Sequence, residues 1–176
     1  MFQSKNKYFN QVKDFHARMD GRTQESPKAF GVEEAIHRAD FKLEEIVEFL
    51  QATVGSDDDL DRVIEKLHRD LDKAADKVKK KGCSQDPMVG QVDALVDLLY
   101  FTYGSFVLMG IDPEPFFQIV HRANMGKIFP DGKAHFHPVT HKILKPADWE
   151  EKHAPEWAIL KELQGQITAR KDKDLR

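Results

Sequence analysis

From Val92 to Met109 the only formal charges are Asp93 and Asp97, set among Val, Leu, Tyr, Phe and Met. A run this apolar on all sides predicts a helix, about Met88 to Met109, placed at the centre of a bundle or across an oligomer interface. Asp97 is therefore expected to face protein rather than water. An unpaired ionised carboxylate buried there costs several kcal/mol, and no Lys or Arg stands nearby in sequence to pair with it. A shared divalent ion meets the need, and oxygen-only ligands favour Mg²⁺, with Mn²⁺ as the alternative, over zinc.

A second acidic cluster, Glu44, Glu45 and Glu48 in L-E-E-I-V-E-F-L, lies on a predicted helix from about Val32 to Val54. On a wheel of roughly 100° per residue the three fall within about 100° of one another, flanking the apolar stripe of Ile36, Leu43, Val47 and Leu50. Glu45 and Glu48 alone read as a solvated helix face, whereas for Asp93 and Asp97 the apolar surroundings exclude that reading and leave a buried hydrogen bond or a cap, which suits Asp93 but hardly Asp97. Two pairs about 45 residues apart with an amphipathic helix between them are more specific.

That middle helix is predicted from Asp57 to Lys81, with Ser56 or Asp57 as N-cap, lysines in its last turn and Gly82 beyond. Lys7 to Met19 reads as a first, packing helix. A further helix should begin at Ile111-Asp112-Pro113-Glu114, with Asp112 as N-cap and Pro113 at its first position, and end near Asn124 to Gly126. Lys127 to Pro155 reads as an extended loop, with a hairpin around Pro130-Asp131-Gly132-Lys133. A last helix spans about Glu156 to Ala169, before a charged end expected to fray. The fold class is all-α, a bundle of about five to six helices with a long C-terminal loop and a terminal helix.

The chain has 176 residues, 40% of them apolar, enough for one helical domain. A net charge of -3 and a pI near 6.2 argue against nucleic acid as the main partner. Cys83 is the sole cysteine, which leaves no intrachain disulfide and points to the reducing cytosol. No signal peptide or membrane span is read, so a soluble, cytoplasmic protein is expected.

The two acidic motifs resemble those of the all-α nucleoside triphosphate pyrophosphohydrolases, the MazG-like proteins and their phosphoribosyl-ATP pyrophosphohydrolase relatives. Members carry E-x-x-E on one helix and E-x-x-D on a later one, which bind Mg²⁺ on the triphosphate. Glu45-Ile-Val-Glu48, preceded by Glu44, matches the first, and Asp97 matches the closing Asp of the second. Gly110-Ile-Asp112-Pro113-Glu114 looks like the family's G-x-D-P-E helix start, and Asn124-Met-Gly-Lys127 like its N-x-x-K segment, which contacts substrate. One departure stands out: Ala94 occupies the position of the family's Glu, with Asp93 one residue earlier and turned by roughly 100°.

The resemblance implies one MazG-like domain over residues 1–176, its core about 32–129 and an extension over 130–176. It implies cleavage of a nucleoside triphosphate between the α and β phosphates, giving a nucleoside monophosphate and pyrophosphate, in a homodimer or dimer of dimers. Glu45, Glu48, Asp97 and Asp93 are the expected metal ligands. Glu44 or Glu45 is the expected base for the attacking water. Asn124 and Lys127 are the expected substrate contacts, joined by Lys133 in a basic loop with Lys142 and Lys145. Arg38 and Arg122 are each expected to pair with a carboxylate.

Three other patterns compete. A non-catalytic nucleotide-sensing or partner-binding module would keep the bundle but lose turnover through Ala94. Glu34-x-x-His37 and Glu65-x-x-His68 have the i, i+3 spacing of di-iron bundles, yet both lie on polar faces. His135, His137 and His141 could bind zinc, although a surface loop is the commoner reading for such a segment.

Overall fold

The computed structural model describes residues 4–140 and 142–174, with side chains as far as Lys171. Seven helices follow in order: α1 Lys7–Met19, α2 Val32–Gln51, α3 Asp57–Lys79, α4 Pro87–Met109, α5 Glu114–Met125, α6 Trp149–His153 and α7 Glu156–Asp174. The described residues contain no strand, only an isolated antiparallel bridge between Phe136 and Ile143. The class is all-α.

Local chemistry sets the helix ends. Asn6 caps α1 by accepting from the Phe9 amide, and Ser56 caps α3 by accepting from Asp59. The cap of α4 is Asp86, whose Oδ1 accepts from the amides of Met88 and Val89 at 2.9 and 3.3 Å. Asp93, two turns in, has no capping role. Pro113, not Asp112, stands at the N-cap position of α5, but the Asp112 carboxylate still receives the Glu114 amide at 3.0 Å. Gly110 closes α4 in the left-handed region, at φ 70°, and lets the Ile111 amide reach back to Phe106 O at 2.9 Å.

The chain divides into two compact units. One takes the segment up to Pro27 together with Asp97 onward, and α5 is its hub, packed by α1, α6 and α7. Its core is Met19, Ile119, Ala123 and Trp149. Tyr8 meets Phe117 edge to face, and Gln11 and Gln118 exchange amide hydrogen bonds of 2.7 and 3.1 Å, so α1 is fixed to α5 by both apolar and polar contacts. At the start of α5, Gln166 of α7 grips the backbone of Asp112, accepting from its N–H at 3.0 Å and donating to its carbonyl at 3.1 Å.

The second unit, Lys28–Val96, packs α2 on α3 and ties the approach to α2 to α4 by the same device. Gln91 accepts from Phe30 N at 2.9 Å and donates to Phe30 O at 3.0 Å. No residue of this unit is buried. Leu60, Ile64 and Leu67 are half-covered, while Phe49, Leu71 and Val78 stand about as open as polar residues would.

Helix α4 is exposed along its length, with Leu108 at 90%, Val107 at 76% and Tyr100 at 75%. By length and composition alone it could cross a membrane. Asp97 is exposed as well, so the burial expected of it does not arise within one chain: the apolar surface that was to enclose it is itself uncovered.

The C-terminal third departs from the sequence expectation in three places. Lys127–Pro155 is not loop throughout, since Trp149-Glu150-Glu151-Lys152-His153 forms α6 with acids in its first turn and basic residues in its last. The Pro130–Lys133 segment is a turn, closed by Phe129 N to Lys133 O at 2.9 Å, and the paired backbone comes later, with His137 N to Lys142 O and Leu144 N to His135 O at 2.8 Å. Helix α7 also continues past Ala169 to Asp174.

Candidate active site

Helix α2 presents Glu44, Glu45 and Glu48 to solvent. Upstream on the same helix, His37 packs edge to face on Phe41 and the Arg38 guanidinium lies over that ring, 5.3 Å from its centre. Arg38 thus directs its charge to an aromatic face, not to a carboxylate. Lys42 donates to Arg38 O at 2.8 Å, and burial, then the neighbouring Arg38 charge, holds its ammonium below the usual lysine range. No described cation pairs with Glu45 or Glu48.

Helix α4 carries Asp93 and Asp97 one turn apart, hence on one face. Both are exposed, and no described cation pairs with either. Glu45 and Glu48 on α2, and Asp93 and Asp97 on α4, each carry hard oxygen donors of the type Mg²⁺ takes. Among the described residues no three His, Cys, Asp or Glu side chains gather around one point.

The substrate-contact candidates lie at the C-terminal end of α5. Lys127 Nζ donates to Asn124 Oδ1 at 2.8 Å, so the two are one unit rather than separate contacts. Both are half-buried. The helix end beneath them is braced by Trp149, 5% exposed, whose indole N–H donates to Ala123 O at 2.9 Å. Lys145 lies 3.8 Å from the centre of the Trp149 ring and bonds Glu150 at 2.9 Å, which makes it a brace rather than part of a phosphate arm. Lys133 is exposed, and its backbone is fixed by the turn, its amide donating to Asp131 Oδ1 at 3.0 Å.

The histidine loop is held by its own hydrogen bonds. His135 Nε2 meets Asp131 Oδ2 at 2.8 Å, and His137 Nδ1 accepts from the amides of Val139 and Thr140 at 3.3 and 3.1 Å. His141 lies outside the described residues. The polar-face pairs Glu34 with His37 and Glu65 with His68 are likewise in no described metal-ligand group; Glu65 faces Arg69 at 3.9 Å.

Sequence reasoning missed α6, although its acid-first, base-last order was visible, and missed the three glutamine grips, for which sequence holds no signal. It also missed an open cleft of about 640 Å³ bounded by α1, the end of α5 and His153.

An all-α chain with an E-x-x-E helix, an acidic apolar helix and a braced N-x-x-K turn has the elements expected of a helical phosphoanhydride hydrolase. The phosphoribosyl-ATP pyrophosphohydrolase family matches residues 12–124, a stretch that holds Glu44, Glu45, Glu48, Asp93 and Asp97, and the chain belongs to it and is a pyrophosphohydrolase. A crystal structure from Exiguobacterium sp. 255-15, described as "a putative NTP pyrophosphohydrolase", is similar over 97% of this chain and 99% of its own, at 32% identity and a TM-score of 0.80. The similarity therefore extends beyond Asn124 into α6 and α7. No curated protein matches.

Proposed function

We propose that the protein is a Mg²⁺-dependent nucleoside triphosphate pyrophosphohydrolase that cleaves between the α and β phosphates. The observation that carries this is that four exposed carboxylates, Glu45, Glu48, Asp93 and Asp97, have no counter-ion among the described residues and all lie within the family's matched stretch. Glu45, Glu48, Asp97 and Asp93 are the residues that would hold Mg²⁺ or Mn²⁺. The ion when bound offsets the phosphate charge and that of the leaving pyrophosphate.

The chain's own groups do the rest. Glu44 or Glu45 orients a water and takes its proton as the water oxygen bonds to the α phosphorus and the bond to the β-phosphate oxygen breaks. Asn124, with its carbonyl oxygen committed to Lys127, offers its amide NH₂ to an acceptor on sugar or base. Lys127 adds positive charge for the phosphates, and the exposed Lys133 is a second cation able to reach them.

The proposal includes a homodimer or dimer of dimers in the cytoplasm. A unit with no buried residue cannot offset its own chain entropy, so its apolar faces and that of α4 need a cover. Between a bilayer and a second copy, Asp93 and Asp97 decide: each carboxylate at the membrane centre costs roughly 2.5–3.5 kcal/mol or more, and a two-fold interface lets the same apolar face cover itself. The exposed thiol of Cys83 suits a reducing compartment.

Pyrophosphate release from a panel of ribo- and deoxynucleoside triphosphates tests the reading. Wild type with Mg²⁺ should release pyrophosphate, and Glu48→Gln and Asp97→Asn should each lose at least a hundredfold. Ala94, standing where the family has Glu, favours one second reading: a nucleotide-sensing module. Mg²⁺ and nucleotide binding with no pyrophosphate from any substrate would establish that instead.

A further inference from the structure

The cleft beside α5 is lined mainly by basic side chains, among which Arg18 meets Asp14 and His153 lies near Asp148. Arg18 and Asp14 of α1, His121 and Arg122 of α5 and His153 of α6 line it, all within one compact unit. Asp14 is already bound to Arg18 Nε at 3.0 Å, which leaves the outer guanidinium nitrogens of Arg18 without a described partner. Arg122 pairs with no described carboxylate, against the sequence expectation.

A basic residue in the last turn of a helix often serves the free carbonyls there. Here those carbonyls are satisfied without Arg122. The carbonyls of residues 122, 123, 124 and 125 receive Gly126 N, the Trp149 indole, Lys127 N and Ile128 N at 3.0, 2.9, 3.1 and 3.2 Å. His153 is seated by Gly126: a Cβ at that position would stand 2.4–2.7 Å from three imidazole atoms, so only glycine lets the ring approach. A smaller cavity of about 170 Å³ adjoins the cleft and shares Arg122 and His153 with it, so these two stand between the spaces.

We infer that this cleft binds the phosphate group of a small molecule, held by Arg122, Arg18 and His153, at a site separate from Asn124 and Lys127. Guanidinium groups from α1 and α5 and the imidazoles of His121 and His153 line one cleft, and donors from three elements suit the several oxygens of a phosphate. The volume is in the range of about 300–1,000 Å³ usual for small-molecule sites. Neither Asn124 nor Lys127 lines the cleft. The inference does not depend on the proposed reaction.

Calorimetric titration of the full chain with inorganic phosphate, pyrophosphate and AMP, in EDTA so that metal-bridged binding is absent, tests it. At least one of the three should bind wild type. Affinity should fall tenfold or more in Arg122→Gln and in His153→Gln, and stay within twofold in Lys127→Gln. Equal affinity for phosphate and AMP would identify the free anion as the ligand; tighter AMP would identify a nucleotide, with Met125 and Ile128 as the apolar wall. Gly126→Ala, which displaces the imidazole, should weaken binding with an unchanged circular dichroism spectrum. No binding by any of the three, or loss in Lys127→Gln equal to that in Arg122→Gln, overturns the inference.

Discussion

Trp149 is the residue on which most depends, because it is one of four buried apolar side chains among the described residues and also satisfies the Ala123 carbonyl directly before Asn124. Trp149→Ala should cost about 3–5 kcal/mol in urea denaturation, from lost area and the cavity left behind. Trp149→Phe keeps most of the area and should cost about 1–2 kcal/mol, the consequence of an orphaned carbonyl. A different balance governs Asp131, whose carboxyl is held below the usual range by the hydrogen bond from His135 and then by the Lys133 amide. A depressed carboxyl stabilises the turn fully above its unfolded pKa, about 3.9, and loses that contribution as pH falls through the lower folded value. Hydrogen exchange of the Lys133 amide, corrected for intrinsic rate, should therefore hold its protection from neutrality to about pH 4 and lose it only below. In Asp131→Asn that acid-dependent step should be absent.

Among the elements, α1 to α5 were legible because residues at their ends punctuate the chain for a physical reason. Ser56 and Asp112 accept amide protons, and Gly82 and Gly110 turn at φ 78° and 70°. Five-residue α6 was not, since so short a helix has no room for a periodic apolar stripe, and its hold comes from the distant Ala123 carbonyl. The acidic motifs of α2 and α4 were legible as spacing, but sequence could not say what covers α4. Nor could it foresee Arg38 over Phe41, a choice made by side-chain packing rather than charge count. The capping role expected as one possibility for Asp93 belongs to Asp86; Asp86→Ala should cost about 0.5–2 kcal/mol and loosen the first turn of α4 in hydrogen exchange. The glutamine grips differ in what they constrain. Gln91 and Gln166 read only the backbone of Phe30 and Asp112 and are blind to those side chains, apart from excluding proline at 30 and 112, where an N–H is needed. Gln11 and Gln118 read each other, so replacing either one by leucine orphans the other, while the double replacement should recover part of the loss.

For the whole molecule, the second unit's lack of a core and the bare surface of α4 lead to one decisive substitution. Leu108, 90% exposed, would accept Glu within about 0.5 kcal/mol if the chain worked alone. In the proposed dimer, Leu108→Glu should instead shift sedimentation from dimer to monomer and lower the melting temperature, which in wild type should rise with protein concentration. The order of the chain adds a further demand. Gln11 waits for Gln118, 107 residues later, and the unit without a core emerges from the ribosome between them. At roughly 5–20 residues per second, α1 remains without its partner for about 5–20 s while apolar α2 and α4 pass into solution uncovered. The nascent chain is thus a natural client for holding chaperones, and its yield will be set during translation, before α5 exists to close the core.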